Sequence, residues 1–310
     1  MPPSRPVGSW LGIKLFADQA FAQVINEKLA GSHQQDIFVY VHGYKTVFER
    51  PLEVATELWH YLGYDGVFIA YAWPATPNRL AYFKDAETAE LSGNNLRLAL
   101  EFLTRRTNAR RIHIIGYSAG TRVVFTALQQ LALIHRGKDR AAIDETARIG
   151  RVTIIASDYD STKFGAAVAY GMLNVPTALS IYMSESDSAL DLSRLLLRQD
   201  RLGQIVRSYR ATAAVKQFFA GMPSVHFIDV TRAERSNTGN GHTYFRRSPW
   251  ASSDILMSLK YGLDPVERGL ERPTGAIAWT FPPNYIARLR AGVLAKRSMA
   301  RPSRPSTRAK

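Results

Sequence analysis

Apolar positions along this chain alternate between two spacings. Short, nearly continuous apolar runs occur at 36–41, 66–72, 111–115, 151–156, 178–183 and 225–230. Their length and composition predict strands buried on both faces. The segments between them carry apolar residues three and four apart. In 51–62, Leu52, Ala55, Leu58, Trp59 and Leu62 recur at helical spacing behind a first-turn proline. In 85–106, Leu96, Leu100 and Leu103 do the same, and 121–135 forms a further helical segment. An amphipathic helix is expected over 18–30, with Asp18 as its N-cap and Phe21, Val24, Ile25 and Leu29 on one face. Six strands alternating with helices predict an α/β architecture: a mostly parallel central sheet covered by helices on both faces.

Organisation follows from the same pattern. Residues 1–35 form an N-terminal segment with one helix, 36–287 the main domain, and 288–310 a basic tail expected to be disordered. Within the main domain, 190–220 is basic and helical and has two readings, an ordinary surface helix pair or a small cap over a site. The 310-residue chain carries a net charge of +14, and eight of its basic residues, with no acid, fall in 288–310. There is no cysteine, which excludes disulfides, a thiol nucleophile and a cysteine metal site. No apolar run reaches 18 residues, and 1–14 makes a poor signal peptide because Lys14 interrupts it. Cytoplasm is the default expectation.

The chemistry concentrates where the third strand ends. Residues 112–120 read Ile-His-Ile-Ile-Gly-Tyr-Ser-Ala-Gly, a strand running into G-x-S-x-G and then a helix. This is the pattern of a nucleophile elbow centred on Ser118. Gly116 and Gly120 allow the sharp bend, and the helix N-terminus presents amides to a developing oxyanion. A serine hydroxyl needs a base, and the base needs an orienting acid. His242, in the glycine-rich stretch after the last expected strand, is the candidate base; His226, inside a strand, reads as a core residue. Asp187, just past the fifth strand, is the candidate acid, with Asp158, Asp160 and Glu185 as rivals. The Ala119 amide and the Tyr44 amide are the expected oxyanion donors. Gly43 turns the chain after the first strand, and His42 is expected to brace that loop. No metal or organic cofactor is required, and no H-E-x-x-H, phosphate-loop or dinucleotide fingerprint is present.

Together, Val-His-Gly-Tyr (41–44), Ala-Trp-Pro (72–74), Gly-Tyr-Ser-Ala-Gly (116–120), Ala-Ser-Asp-Tyr-Asp (156–160), Tyr-Met-Ser-Glu-Ser-Asp-Ser-Ala-Leu (182–190) and Gly-His-Thr-Tyr-Phe (241–245) resemble the α/β-hydrolase superfamily over about residues 36–256. Within it the chain is similar to a bacterial, esterase/lipase-like family of unknown function. The resemblance implies an α/β-hydrolase fold and Ser118, Asp187 and His242 as a triad.

The expected activity is hydrolysis of a carboxylic ester through an acyl-enzyme. Tyr44, Trp73, Tyr117 and Leu195, expected near the site, favour a small substrate with an apolar acyl or aryl part. One alternative is a membrane-associated lipase or acyltransferase, with the tail making weak contact with anionic lipid. Another is a catalytically inactive binding protein on the same fold. Nucleic acid is disfavoured as a partner, because the charge comes with no reader motif.

Overall fold

The computed structural model describes residues 7–44, 46–76, 82–190, 201–204, 213–235, 239 and 241–299. Seven strands build one sheet: β1 (Asp36–Val41), β2 (Val67–Tyr71), β3 (Arg111–Tyr117), β4 (Ile149–Ile155), β5 (Ala178–Met183), β6 (Val225–Asp229) and β7 (Ala278–Thr280). Their order is β2-β1-β3-β4-β5-β6-β7, and every neighbouring pair is parallel. The α-helices among the described residues are α1 (Val7–Ala30), α2 (Glu49–Tyr61), α3 (Tyr82–Arg106), α4 (Gly120–Ile134), α5 (Arg140–Ala147), α6 (Ser161–Ala169), α7 (Ala213–Ala220), α8 (Tyr244–Arg247), α9 (Pro249–Tyr261) and α10 (Tyr285–Met299).

The apolar runs are buried on both faces because successive side chains leave a strand on opposite sides. On β1, Ile37, Val39 and Val41 join one core with Leu96 and Leu100 of α3 and Val124 and Leu128 of α4. Phe38 and Tyr40 join the other, with Leu58 of α2, Ile255 of α9 and Tyr285 of α10. The chain goes from β1 to β2 on one side and then crosses to β3 on the other. Such a reversal opens a crevice at the carboxyl ends of the strands, here between β1 and β3.

Four expectations are corrected. The sheet has a seventh strand, β7, so β6 is not the last. Three residues give no usable periodicity, and β7 exists through its pairing of Phe227 with Ala278 and Asp229 with Thr280. Helix α1 starts at Val7, which places Asp18 inside it and not at its cap; the stretch from Val7 to Asp18 holds no proline, and only Gly8 and Gly12 weaken it. Only part of its expected apolar face is covered. Ile25 and Leu29 are buried, whereas Phe21 and Val24 are exposed, with Phe21 stacking on Phe102 of α3. Finally, residues 288–299 of the expected disordered tail are helical, as part of α10. Buried Tyr285 and Leu289 fix its first turns on the second core, and Ala, Leu and Arg propagate it. Residues 300–310, and most of 190–220 including Leu195, lie outside the described residues. Among the described residues, no helix is long and apolar enough to cross a membrane.

The buried histidines away from the carboxyl edge serve the core. His113 Nδ1 accepts the Arg151 amide at 2.9 Å, and its ring stacks on Phe38. On β6, His226 Nε2–H donates to the Pro223 carbonyl at 2.9 Å, while its buried Nδ1 has no partner. Burial, and then the charge of Arg268, lower the His226 pKa to about 4. The unfolded chain therefore takes up this proton near the ordinary imidazole value of 6.5 and the folded chain only near 4, so acidification through that window favours unfolding. His226→Gln is expected to remove about 3 kcal/mol of the stability lost across the window. Urea unfolding at a series of pH values checks this, and parallel pH profiles for the two proteins would contradict it.

Candidate active site

The loop after β1 and the turn after β3 are pressed together. Ser118 adopts a left-handed backbone, φ +52°, unusual for a residue with a side chain. Its amide donates to Ile155 O at 2.9 Å, which ties the turn to the end of β4. Its carbonyl accepts from the Thr121 amide at 3.0 Å and the Thr121 hydroxyl at 2.6 Å. A Cβ on Gly120 would sit 2.2 Å from His42 O, and one on Gly43 would sit 2.9 Å from Ser118 Cβ. Neither position has room for a side chain. Gly116 is less tight, with 3.0 Å to Val124 Cγ2. Ala119 stands at the N-cap of α4, directly after Ser118. Tyr44 follows Gly43 and is half-buried against the first core.

His42 is enclosed in this loop. Its Nδ1–H donates to Gly43 O at 2.6 Å, and its Nε2 accepts the Trp73 amide at 3.1 Å. The Trp73 indole donates to His42 O at 2.7 Å, and the two rings stack at 5.3 Å. Burial pushes the His42 pKa below its ordinary value, in keeping with a neutral ring that has one donor and one acceptor nitrogen. Trp73, expected as a pocket side chain, is instead buried as the partner of His42.

On the far side of Ser118, the segments after β5 and β6 supply a carboxylate and an imidazole. Asp187 is fully buried. Its Oδ1 accepts the amides of Ala189 and Leu190, each at 3.2 Å. Its Oδ2 lies 2.7 Å from His242 Nδ1, and His242 Nε2 lies 2.8 Å from Ser118 Oγ. A carboxylate only accepts, so Nδ1 carries the proton and Nε2 presents its lone pair to the serine hydroxyl. Gly241, at φ +70°, brings the histidine this close: a Cβ there would lie 2.3 Å from Ser186 O. The Tyr117 ring lies 5.2 Å from the imidazole and 4.8 Å from the Phe245 ring.

Two of the rival acids, Asp158 and Asp160, are engaged elsewhere. Asp158 pairs with Arg122 at 3.0 Å and with Arg201 at 3.7 Å. Asp160 caps α6 by accepting the Lys163 amide at 2.8 Å. Glu185 is held by its backbone, its amide donating to the Thr231 hydroxyl at 3.0 Å. A cavity of about 560 Å³ lies at the opposite, amino ends of the strands, lined by Asp36, Arg110, Arg111, His113 and Lys260 among others. It shares no residue with the Ser118 site. There Asp36 is held well below the usual carboxylate range: burial alone would raise it, but hydrogen bonds from His113, Arg110 and Gln34 prevail. Among the described residues, no group of three His, Cys, Asp or Glu side chains is placed to hold a metal ion.

Sequence reasoning missed the buried polar support behind the site. The Tyr244 hydroxyl accepts the Ala156 amide at 2.8 Å and donates to Tyr182 O at 2.9 Å. Behind it, Asp254 accepts from the Tyr182 hydroxyl at 2.6 Å, the Tyr285 hydroxyl at 3.0 Å and Arg268 Nε at 2.7 Å. Tyrosines at 182, 244 and 285 are ordinary core residues by pattern, and only their hydroxyls distinguish them.

Comparison with solved structures finds similarity to an inhibited esterase B from Lactobacillus rhamnosis, 11% identical, covering 74% of this chain and 77% of that one with a TM-score of 0.41. Comparison with curated proteins finds no match. A family model described as "Alpha/beta hydrolase of unknown function (DUF900)" matches residues 17–258. With its seven-stranded parallel sheet and helices on both faces, the chain belongs to this family of α/β-hydrolases.

Proposed function

We propose that this hydrolase cleaves carboxylic esters by nucleophilic catalysis at Ser118. The observation that carries the reading is the line of hydrogen bonds from Ser118 Oγ to His242 Nε2 (2.8 Å) and from His242 Nδ1 to Asp187 Oδ2 (2.7 Å). Ser118 attacks the ester carbonyl as His242 Nε2 takes the hydroxyl proton. Asp187 fixes the ring tautomer and stabilises the imidazolium that forms. The tetrahedral oxyanion is held by the Ala119 amide, at the opening of α4, and by the Tyr44 amide beyond Gly43. The imidazolium passes its proton to the departing alkoxide, leaving an acyl-serine. His242 then draws a proton from water, which attacks the acyl carbonyl, releases the acid and restores Ser118. The aromatic rings of Tyr44 and Tyr117 favour an apolar acyl or aryl group. The steps are proton and acyl transfers among the ester, a water, Ser118 and His242.

The protein is expected to react with a fluorophosphonate probe, and Ser118→Ala to lose that labelling completely while keeping its fold. A well-folded wild-type protein that takes up no probe would refute the proposal. The acid assignment has its own check. Asp187→Asn is expected to lower kcat on a p-nitrophenyl ester by roughly 10³- to 10⁴-fold through the wrong imidazole tautomer. Asp160→Asn should leave kcat near wild type and cost at most about 1 kcal/mol as a weakened cap. The reverse order of effects would transfer the role to Asp160.

A further inference from the structure

Tyr244 lies two residues beyond His242 and opens α8. The residue is 1% exposed. Burial drives its phenol well above the usual tyrosine range, and the nearby charge of Asp187 adds to the effect, so the hydroxyl keeps its proton. It makes two hydrogen bonds, both to backbone. It accepts from the Ala156 amide at 2.8 Å and donates to Tyr182 O at 2.9 Å.

Those two backbone groups lie where the sheet comes apart. The β4–β5 register runs to Ile155 opposite Tyr182. At Ala156, φ is +48° and the chain leaves the strand. The phenol stands where the next rung of the ladder would be and joins the two strand ends through a side chain. Each end leads to one member of the reactive line. Ile155 O, one residue before Ala156, accepts the Ser118 amide at 2.9 Å. Tyr182 is five residues before Asp187 in the same strand-and-turn segment. Tyr244 itself is joined to His242 through Thr243 alone. One hydroxyl therefore ties the His242 segment to the strand end that holds the Ser118 amide and to the strand that leads to Asp187.

We infer that Tyr244 is a positioning residue, whose hydroxyl sets the place of the His242 imidazole between Ser118 and Asp187 by pinning the His242 segment to the ends of β4 and β5. The inference rests on the reading of Ser118, His242 and Asp187 given under Proposed function. The site requires such a device. His242 must stay within hydrogen-bond reach of two groups on different segments, and a displacement of about 1 Å at a reacting group costs about 10²-fold in rate. On its other side, Gly241 passes so close to Ser186 that a Cβ there would lie 2.3 Å from the Ser186 carbonyl oxygen.

The test is saturation kinetics of fluorophosphonate labelling on the full chain, at a temperature where circular dichroism shows each variant folded. Tyr244→Phe keeps the ring and removes both hydrogen bonds. Its kinact is expected to fall by roughly ten- to a hundredfold with KI unchanged, since nothing that binds the probe has been altered. Tyr285→Phe is the control: it removes one equally interior hydrogen bond, to Asp254, and leaves the backbone bonds at the ends of β4 and β5 in place, its one link to them being Asp254's separate bond from the Tyr182 hydroxyl. It should lower the Tm and leave kinact at the wild-type value. If Tyr244→Phe does not fold, 4-aminophenylalanine at 244 keeps a donor for Tyr182 O but is a poor acceptor for the Ala156 amide, and it should also label more slowly than wild type. Wild-type kinact in folded Tyr244→Phe, or in the 4-aminophenylalanine variant, overturns the inference and leaves the proposed function standing. Equal losses of kinact in Tyr244→Phe and Tyr285→Phe overturn it as well, because general loosening then accounts for both. Absence of labelling in wild type overturns the proposed function, and the inference with it.

Discussion

The carboxyl edge of this protein depends on one steric constraint: the chain leaving β1 and the helix that follows β3 share a space too small for a Cβ. Gly120 presses on the carbonyl of His42, and Gly43 presses on the side chain of Ser118. That contact fixes where α4 begins relative to β1 and turns Ser118 into a left-handed conformation, which costs on the order of 1 kcal/mol. The cost is met by the bonds on either side of the turn, from the Ser118 amide to Ile155 O and from Thr121 to the Ser118 carbonyl. The contact also sets the start of α4 directly after the serine, where the Thr121 and Arg122 amides turn back onto the Ser118 and Ala119 carbonyls.

A second constraint is the demand of buried polar groups for partners. Asp187 has no exposure, and its two oxygens are divided between backbone amides and the imidazole. A carboxylate so satisfied holds its geometry without solvent, and it leaves His242 a single orientation, with Nε2 toward Ser118. His42 solves the same problem differently. Its two nitrogens are both spent on backbone, and its ring lies flat against Trp73, so the histidine nearest in sequence to the β1 turn is a brace. The two histidines differ in what surrounds them: for His42 the enclosing groups belong to its own loop and to Trp73, and for His242 they are a carboxylate and a hydroxyl.

Much of this is legible in the sequence because it rests on local rules. Strands buried on both faces must be continuously apolar, and six of the seven are found from that alone; β7, at three residues, is too short to have a period. The elbow is legible because only glycine meets the steric demand at Gly120, and Gly116 leaves little room beside it. Asp187 and His242 were selectable because each follows a strand end in the right chain order. What the sequence hides is long-range. That Asp158 is spent on Arg122 and Arg201, that Trp73 packs beneath His42, and that the Tyr244 hydroxyl links two strand ends are facts about partners distant in the chain, with no periodic signature. The C-terminal region fails as an expectation for a related reason. Its charge suggests a solvated tail, but two apolar side chains, Tyr285 and Leu289, find a core already built by Phe281 and Trp250 and nucleate a helix there.

The proposed activity depends on one event: an acyl group carried transiently on the oxygen of Ser118. Intact-mass spectrometry of the protein, acid-quenched during turnover of a p-nitrophenyl ester and followed by peptide mapping, addresses it directly. The prediction is one acyl group per chain, on the peptide spanning 112–121 and at Ser118 within it, disappearing as the ester is exhausted. Hydrolysis of the ester with no adduct at Ser118, or with the acyl group on another residue, would contradict it.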